Sequence, residues 1–306
     1  MKKSVTIRVP ATSANCGPGY DSLGLALGLY NDFTYIISDE HTGFRLDVKG
    51  EGADRLKPSG HNLAFASFLD VWNPATDGKR IGMHVKMHNR VPQSRGLGSS
   101  STAIVAGVMA GSILSGANLD KNALLQHANR LEGHPDNVAP ALFGGFTVSI
   151  QEDGKAYTSR MVPKLPLQFI AVVPDTPLST HKARKAIPAH VPHADAVFNS
   201  SRTALLVSAL LSGDDTLLKF ALEDKLHQNY RSHLIPGLED VFKAAEAAGA
   251  YKGIISGAGS TLMAYAAPDQ DGDAIGKAMV DAFAKAGQHA VYHVLDLDLK
   301  GARPLR

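Results

Sequence analysis

The stretch Val91-Pro-Gln-Ser-Arg-Gly-Leu-Gly-Ser-Ser-Ser-Thr-Ala103 holds the residue types that bind an anion through the main chain. Gly96 and Gly98 permit backbone conformations that leave successive N–H groups pointing into one concavity. Ser99, Ser100, Ser101 and Thr102 then open an apolar run. As a helix it would aim unpaired N–H groups and the positive end of its dipole at the same place. A phosphate suits that environment. The stretch is not a P-loop, because G-x-x-x-x-G-K-[ST] needs a lysine that Leu97-Gly98-Ser99 lacks, and without a third spaced glycine it is not a dinucleotide fingerprint. Taken alone, it reads equally as a surface turn before a serine-capped helix.

Two further loops are built of small residues with polar groups among them. Pro10 to Asp21 is rich in turn formers and bears Asn15 and Asp21, although Asp21 could simply cap a turn. Glu132-Gly-His-Pro-Asp-Asn-Val-Ala-Pro-Ala-Leu-Phe-Gly-Gly-Phe146 is polar yet hemmed by apolar residues, as a pocket lining would be. Phosphoryl transfer needs positioning, a metal and cationic charge. Backbone amides from Gly96 to Ser99 would cradle nucleotide phosphates, while a serine hydroxyl and Glu132 would offer hard oxygen ligands to Mg²⁺. Asp136 would orient or deprotonate an attacking hydroxyl, bind a substrate ammonium, or cap a helix. Arg184 and Arg231, in helical contexts, form either a solvated face or a bidentate clamp for a carboxylate, and two of them imply an anionic substrate. His134 with Glu132 and Asp136 lacks the H-E-x-x-H pattern of a zinc protease. Cys16, between Asn15 and Gly17, has no evident activating histidine and reads as a small buried thiol. His61, His84 and His88 lack metal-ligand spacing and read as structural or surface residues.

The elements that must position these groups follow from periodicity. Strands are expected at Ser4–Val9, Asp32–Ser38, Phe44–Val48, Ile81–His88, Gly144–Ile150, Leu167–Val173, Tyr251–Ile255, Thr261–Ala266 and Ala290–Leu295. Helices are expected at Asn62–Trp72, Thr102–Ser115, Asp120–Leu131, Leu178–Ile187, Ala194–Leu211, Asp214–Leu226, Gly237–Ala248 and Gly272–Ala286. That is an α+β pattern. The polar, proline-bearing stretch at 155–166 suggests a boundary between domains 1–160 and 161–306. With 306 residues, 44% hydrophobic and 20% charged, the chain can bury a sizeable core, and a net charge of +2 with scattered cations gives no footprint for nucleic acid. Arg8 interrupts the N-terminal apolar run too early for a signal peptide, no long apolar segment suggests a membrane span, and Cys16 is the single cysteine. The expectation is a soluble cytoplasmic protein.

Together the loops resemble the GHMP kinase family, named from galactokinase, homoserine kinase, mevalonate kinase and phosphomevalonate kinase. Its Pro-x-x-x-Gly-Leu-Gly-Ser-Ser phosphate loop is matched by Pro92 to Ser100. Within the family the chain is similar to the homoserine kinases, whose Pro-Ala-Thr-Ser-Ala-Asn-x-Gly-Pro-Gly-[Phe/Tyr]-Asp motif stands at Pro10–Asp21. Their His-x-Asp-Asn-Val-Ala-Pro segment stands at His134–Pro140. Leu178–Arg184 and His227–Arg231 look like their substrate-holding elements. The resemblance implies a two-domain fold, ribosomal-protein-like at the N-terminus and ferredoxin-like at the C-terminus. It implies an ATP- and Mg²⁺-dependent kinase that phosphorylates the side-chain hydroxyl of L-homoserine to O-phospho-L-homoserine, toward threonine. Asn15, Asp21, His134, Asp136, Asn137, Thr180, Arg184 and Arg231 would surround the substrate, with Asp136, Asn137 and Arg184 catalytic. Pro92, Gln93, Ser94, Arg95, Gly96, Leu97, Gly98, Ser99, Ser100 and Ser101 would wrap the ATP phosphates, and Ser99 and Glu132 would hold Mg²⁺. Ser256–Thr261 would be the third family motif, with Ser260 where proline is common. A homodimer is compatible with this resemblance.

Overall fold

The computed structural model describes residues 2–39, 43–59 and 61–305. In chain order the elements are β1 (Lys2–Ala14), β2 (Leu23–Ser38), β3 (Gly43–Gly50), α1 (Leu63–Ala75), β4 (Gly82–Asn89), α2 (Ser99–Ser115), α3 (Lys121–Glu132), α4 (Pro135–Phe143), β5 (Phe146–Glu152), β6 (Lys155–Met161) and β7 (Gln168–Pro174). The second half adds α5 (Thr180–Lys185), α6 (His193–Ser212), α7 (Leu218–Ala221), α8 (Gln228–Arg231), α9 (Leu238–Ala247), β8 (Lys252–Ile255), β9 (Leu262–Ala266), α10 (Gly272–Lys285), β10 (Ala290–Leu295) and β11 (Arg303–Leu305).

Among the described residues the strands form two sheets. The first runs β11-β1-β2-β4-β3, with β5 also on β2 and β6 on β5; the second runs β10-β7-β9-β8. Helices α1 and α2 cover the first sheet and bury Phe65, Phe68, Val105 and Val108 against Phe33, Tyr35 and Val85. Helices α9 and α10 cover the second, where Val241, Met279 and Phe283 meet Ile170, Val172 and Leu262. A further cluster joins the two sheets, and in it Cys16, Leu23, Leu25 and Leu97 pack against Phe169, Ile254, Met263 and Tyr265. The phosphate-loop candidate and the Pro10–Asp21 segment are thereby set on the seam between the sheets.

Several elements differ from expectation for identifiable reasons. Strand β1 continues past Pro10 to Ala14, and β2 starts at Leu23 rather than in a helical turn. The two pair from Ala14↔Gly24 onward, with a register shift between Pro10 and Ala11. Proline cannot donate to the ladder, so an irregularity there lets the pairing resume beyond it. The expected helix Asp214–Leu226 shrinks to α7 because side chains compete for its backbone. Asp214 Oδ1 accepts from Thr216 N, while Asp224 accepts from the N–H groups of Leu226, His227 and Gln228. Strand β6 lies where the domain boundary was read. Asp153 and Gly154, both at positive φ, close a tight hairpin that folds it onto β5. No helix among the described residues is long and apolar enough to cross a membrane.

Candidate active site

The phosphate loop leaves β4, reverses through Ser94 and enters α2 at Gly98. Ser94, Gly96 and Gly98 all take left-handed φ values, 55°, 80° and 67°. At Gly96 a side chain is impossible on two counts: its φ, and the 2.1 Å that would separate a Cβ from the Ser256 carbonyl. Gly98 fits as closely, since a Cβ would lie 1.9 Å from Thr12 Oγ1. Thr12 Oγ1 donates to Asn137 Oδ1 at 2.7 Å and Thr12 N donates to Leu97 O at 3.1 Å, so β1 and α4 buttress the loop from behind. The third motif supports its other side. Ser256 Oγ donates to Gly96 O, Thr261 N donates to Arg95 O, and Ser260 Oγ donates to Thr176 O. The Arg95 side chain donates to the carbonyls of Gln93, Pro174 and Asp175, which clamps the loop to the end of β7.

Asn15, Cys16 and Asp21 hold the left-handed region without being glycine, so the loop after β1 stores strain. Asn15 fastens it by accepting from Asp21 N and donating to Gly257 O. Asp21 makes a bidentate pair with Arg184, both contacts 2.7 Å, and Arg184 also donates to Tyr20 Oη. That hydrogen-bonded pairing, opposed by burial, holds the Arg184 pKa above its ordinary value. Arg231 is almost fully buried and donates to the carbonyls of Ala183 and Gly257. Among the described residues no carboxylate is ion-paired with it, and burial pushes its pKa down. The Tyr20 ring lies 5.6 Å from the Arg184 guanidinium and 5.3 Å from that of Arg231.

Pro135 opens α4, and Asp136 in its first turn is 2% exposed. Asp136 Oδ1 pairs with His134 Nδ1. Burial disfavours the charged His134 ring, but that hydrogen bond and the charges of Asp136 and Glu132 outweigh it and raise its pKa. Glu132, the last residue of α3, accepts from the hydroxyls of Ser100 and Ser101 in the first turn of α2. Among the described residues no group of three or more His, Cys, Asp or Glu could hold a metal ion. One carboxylate beside serine hydroxyls fits a cation of the Mg²⁺ kind, which takes most of its oxygens from nucleotide phosphates and water.

All of these groups meet in one cavity of about 510 Å³. Its wall includes Asn15, Asp21, Pro92 to Ser100, Glu132, His134, Asp136, Asn137, Thr180, Arg184 and Arg231. Ser101 is set apart: it is fully buried and faces Glu132. Sequence reasoning missed the apolar end of the cavity, where Phe33, Leu56, Leu63 and Met87 adjoin His61 and Asn62. Their positions on two strands, a loop and the start of α1 give no local signal. His61, read as structural or surface, lines this end. Tyr20, within the Pro10–Asp21 motif, gives no sequence signal of its place against both arginines. Cys16 is wholly buried, with its thiol pushed up to about 12, as an unreactive thiol should be.

Comparison with known proteins agrees with this geometry. Residues 62–145 match the family model described as GHMP kinases N terminal domain, and residues 206–285 match GHMP kinases C terminal. A homoserine kinase of Desulfitobacterium hafniense is 41% identical over 298 residues, 97% of this chain and 99% of the relative. One of Streptomyces coelicolor is 43% identical over 305 residues, 99% of this chain and 94% of the relative. The crystal structure of homoserine kinase from Cytophaga hutchinsonii superposes with a TM-score of 0.90 at 30% identity, covering 100% of this chain and 98% of that one. The two family models and relatives above 40% identity over nearly the whole length agree: the chain belongs to the GHMP kinase family, among its homoserine kinases.

Proposed function

We propose that this chain transfers the γ-phosphate of ATP to the side-chain hydroxyl of L-homoserine, giving O-phospho-L-homoserine on the route to threonine. The observation that carries the reading is the polarity of the cavity. One end is a glycine loop and helix N-terminus suited to phosphates. The other presents Arg231, a buried cation with no carboxylate partner among the described residues, beside the half-exposed Asp21–Arg184 pair. A free amino acid offers a carboxylate for Arg231 and Arg184 and an ammonium for Asp21.

Asp136 lines the same cavity, paired with His134. The charges of Glu132 and Arg184 both act on its partner His134. Its carboxylate is the group to receive the hydrogen bond, and then the proton, of the substrate hydroxyl. The hydroxyl oxygen forms the new P–O bond as the bond to ADP breaks. Asn137 braces the phosphate loop through Thr12, Thr180 and Asn15 close the substrate end, and His134 holds Asp136 in place. Glu132 and Ser99 are the side chains that would hold Mg²⁺, which supplies charge neutralisation at the phosphates.

ADP release measured with homoserine, mevalonate and galactose tests the assignment. Turnover with homoserine far above the others is expected. Turnover of an acceptor that is not an amino acid, with none of homoserine, refutes it.

A further inference from the structure

Behind Arg231 lies a histidine that this chemistry leaves unused. His227 is fully enclosed, with Nε2 2.8 Å from the Gly17 carbonyl oxygen and Nδ1 3.2 Å from Nη1 of Arg231. A carbonyl oxygen only accepts, so Nε2 carries the proton. A guanidinium only donates, so Nδ1 offers its lone pair. Two independent neighbours demand the same neutral tautomer. Burial, the largest influence on the ring, and the Arg231 charge both push its pKa down, against the opposing charges of Asp224 and Asp21.

The ring is held from every side. Asp224 Oδ2 accepts from the backbone N–H groups of His227 and Gln228, at 3.0 and 2.7 Å, and Asp224 Oδ1 accepts from Asn199. The ring packs beside Tyr20 with centroids 5.3 Å apart, and Tyr20 in turn faces the Arg231 guanidinium. The bonds of Arg231 to Ala183 O, Gly257 O and His227 use Nε and Nη1, which leaves Nη2 for a ligand.

We propose that His227 is a positioning residue of this enzyme: as the Nε2–H tautomer it holds the Arg231 guanidinium through Nδ1 and ties it to the substrate loop at Gly17. The carboxylate-binding arginine and the loop bearing Asp21 then form one preorganised unit. This rests on the reading of Arg231 as a ligand of the homoserine carboxylate. No proton moves through His227, so its loss acts on substrate affinity rather than on the chemical step.

Two substitutions separate its two bonds. Asparagine places an amide oxygen where Nδ1 stands and keeps the acceptor for Arg231. Glutamine places its amide nitrogen where Nε2 stands and keeps only the donor to Gly17. His227→Gln is expected to raise the homoserine KM by roughly tenfold, as befits one lost hydrogen bond to a charged group, with kcat and the ATP KM little moved. His227→Asn is expected to keep the homoserine KM within about threefold of wild type on the same grounds. An unmoved KM in His227→Gln, an equal rise in both variants, or a fall in kcat alone overturns the proposal. Imidazole ¹⁵N shifts of the wild-type protein at neutral pH should report a protonated Nε2 and a bare Nδ1, and a protonated Nδ1 overturns it even if a variant fails to fold. Absence of homoserine turnover by the wild type would instead indict the substrate reading, which the tautomer measurement does not depend on.

Discussion

At the scale of single residues, the site is a set of buried and half-buried charges, most of them given a partner of opposite charge or a hydroxyl donor. Asp21 has Arg184, Asp136 has His134 and Glu132 has two serine hydroxyls, whereas Arg231, among the described residues, has carbonyls, the His227 ring and the Tyr20 face but no carboxylate. The His134–Asp136 pair has a measurable signature. The folded-state pKa of His134 stands above the ordinary 6.5, so its protonated form is favoured by folding. The stabilisation is fully present below the unfolded pKa and is lost as pH rises through the folded one. Comparison of wild type with His134→Gln by denaturant unfolding should therefore show the larger loss of stability below pH 6.5 and a shrinking difference as pH rises above it. A difference that grows with pH contradicts the pairing. The turn before α2 was legible in the sequence because its shape is set by the main chain, which Gly96 and Gly98 encode directly. The direction of Arg95, Asn15 and Ser101 was not legible, because each side chain answers a partner from a distant segment: Pro174, Gly257 and Glu132 respectively.

At the scale of elements, α2 carries the argument. Its apolar length reads plainly as a buried helix, and its Ser99 start borders the cavity. What composition alone does not reveal is how closely α1 crosses it. A Cβ on Gly107 would lie 1.9 Å from Ser67 Oγ and 2.8 Å from Phe68 N, and one on Gly111 would lie 2.6 Å from Phe68 O. The two helices thus touch nearly backbone to backbone over those glycines. Gly111→Leu should force them apart and cost about 1–3 kcal/mol, the usual penalty of overpacking. Chemical denaturation would show this as a lower midpoint at unchanged slope. A midpoint equal to wild type would mean that the crossing can open freely. Periodic elements of this kind were readable from sequence. The helix expected over 214–226 was not, since Asp214 and Asp224 redirect backbone N–H groups to their own carboxylates and propensity does not register that competition. His227 follows directly, with its backbone N–H taken by the Asp224 carboxylate.

At the scale of the whole molecule, the active site belongs to neither sheet alone. The phosphate loop, Glu132 and Asp136 are carried on the first sheet and its helices, while Arg184, Arg231 and the Ser256–Thr261 loop come with the second half of the chain. The chain then returns to close the seam. Strand β11 pairs with β1, and buried Asp298 accepts from Tyr30 Oη and from the N–H groups of Lys300, Gly301 and Gly145. Two substrates entering one cavity from opposite chemical ends should therefore be separable by mutation. Arg231→Leu removes a buried cation facing the carboxylate end, and its effect should fall on homoserine: kcat/KM for homoserine down roughly 30-fold or more, with the KM for ATP nearly unmoved. Glu132→Ala acts at the phosphate end and should raise the Mg²⁺ concentration for half-maximal activity by about tenfold or more, with little change in the homoserine KM. Steady-state kinetics with each substrate and Mg²⁺ varied in turn reads both. If the two variants exchange these signatures, the polarity assigned to the cavity is reversed, and the role given to the buried arginine falls with it.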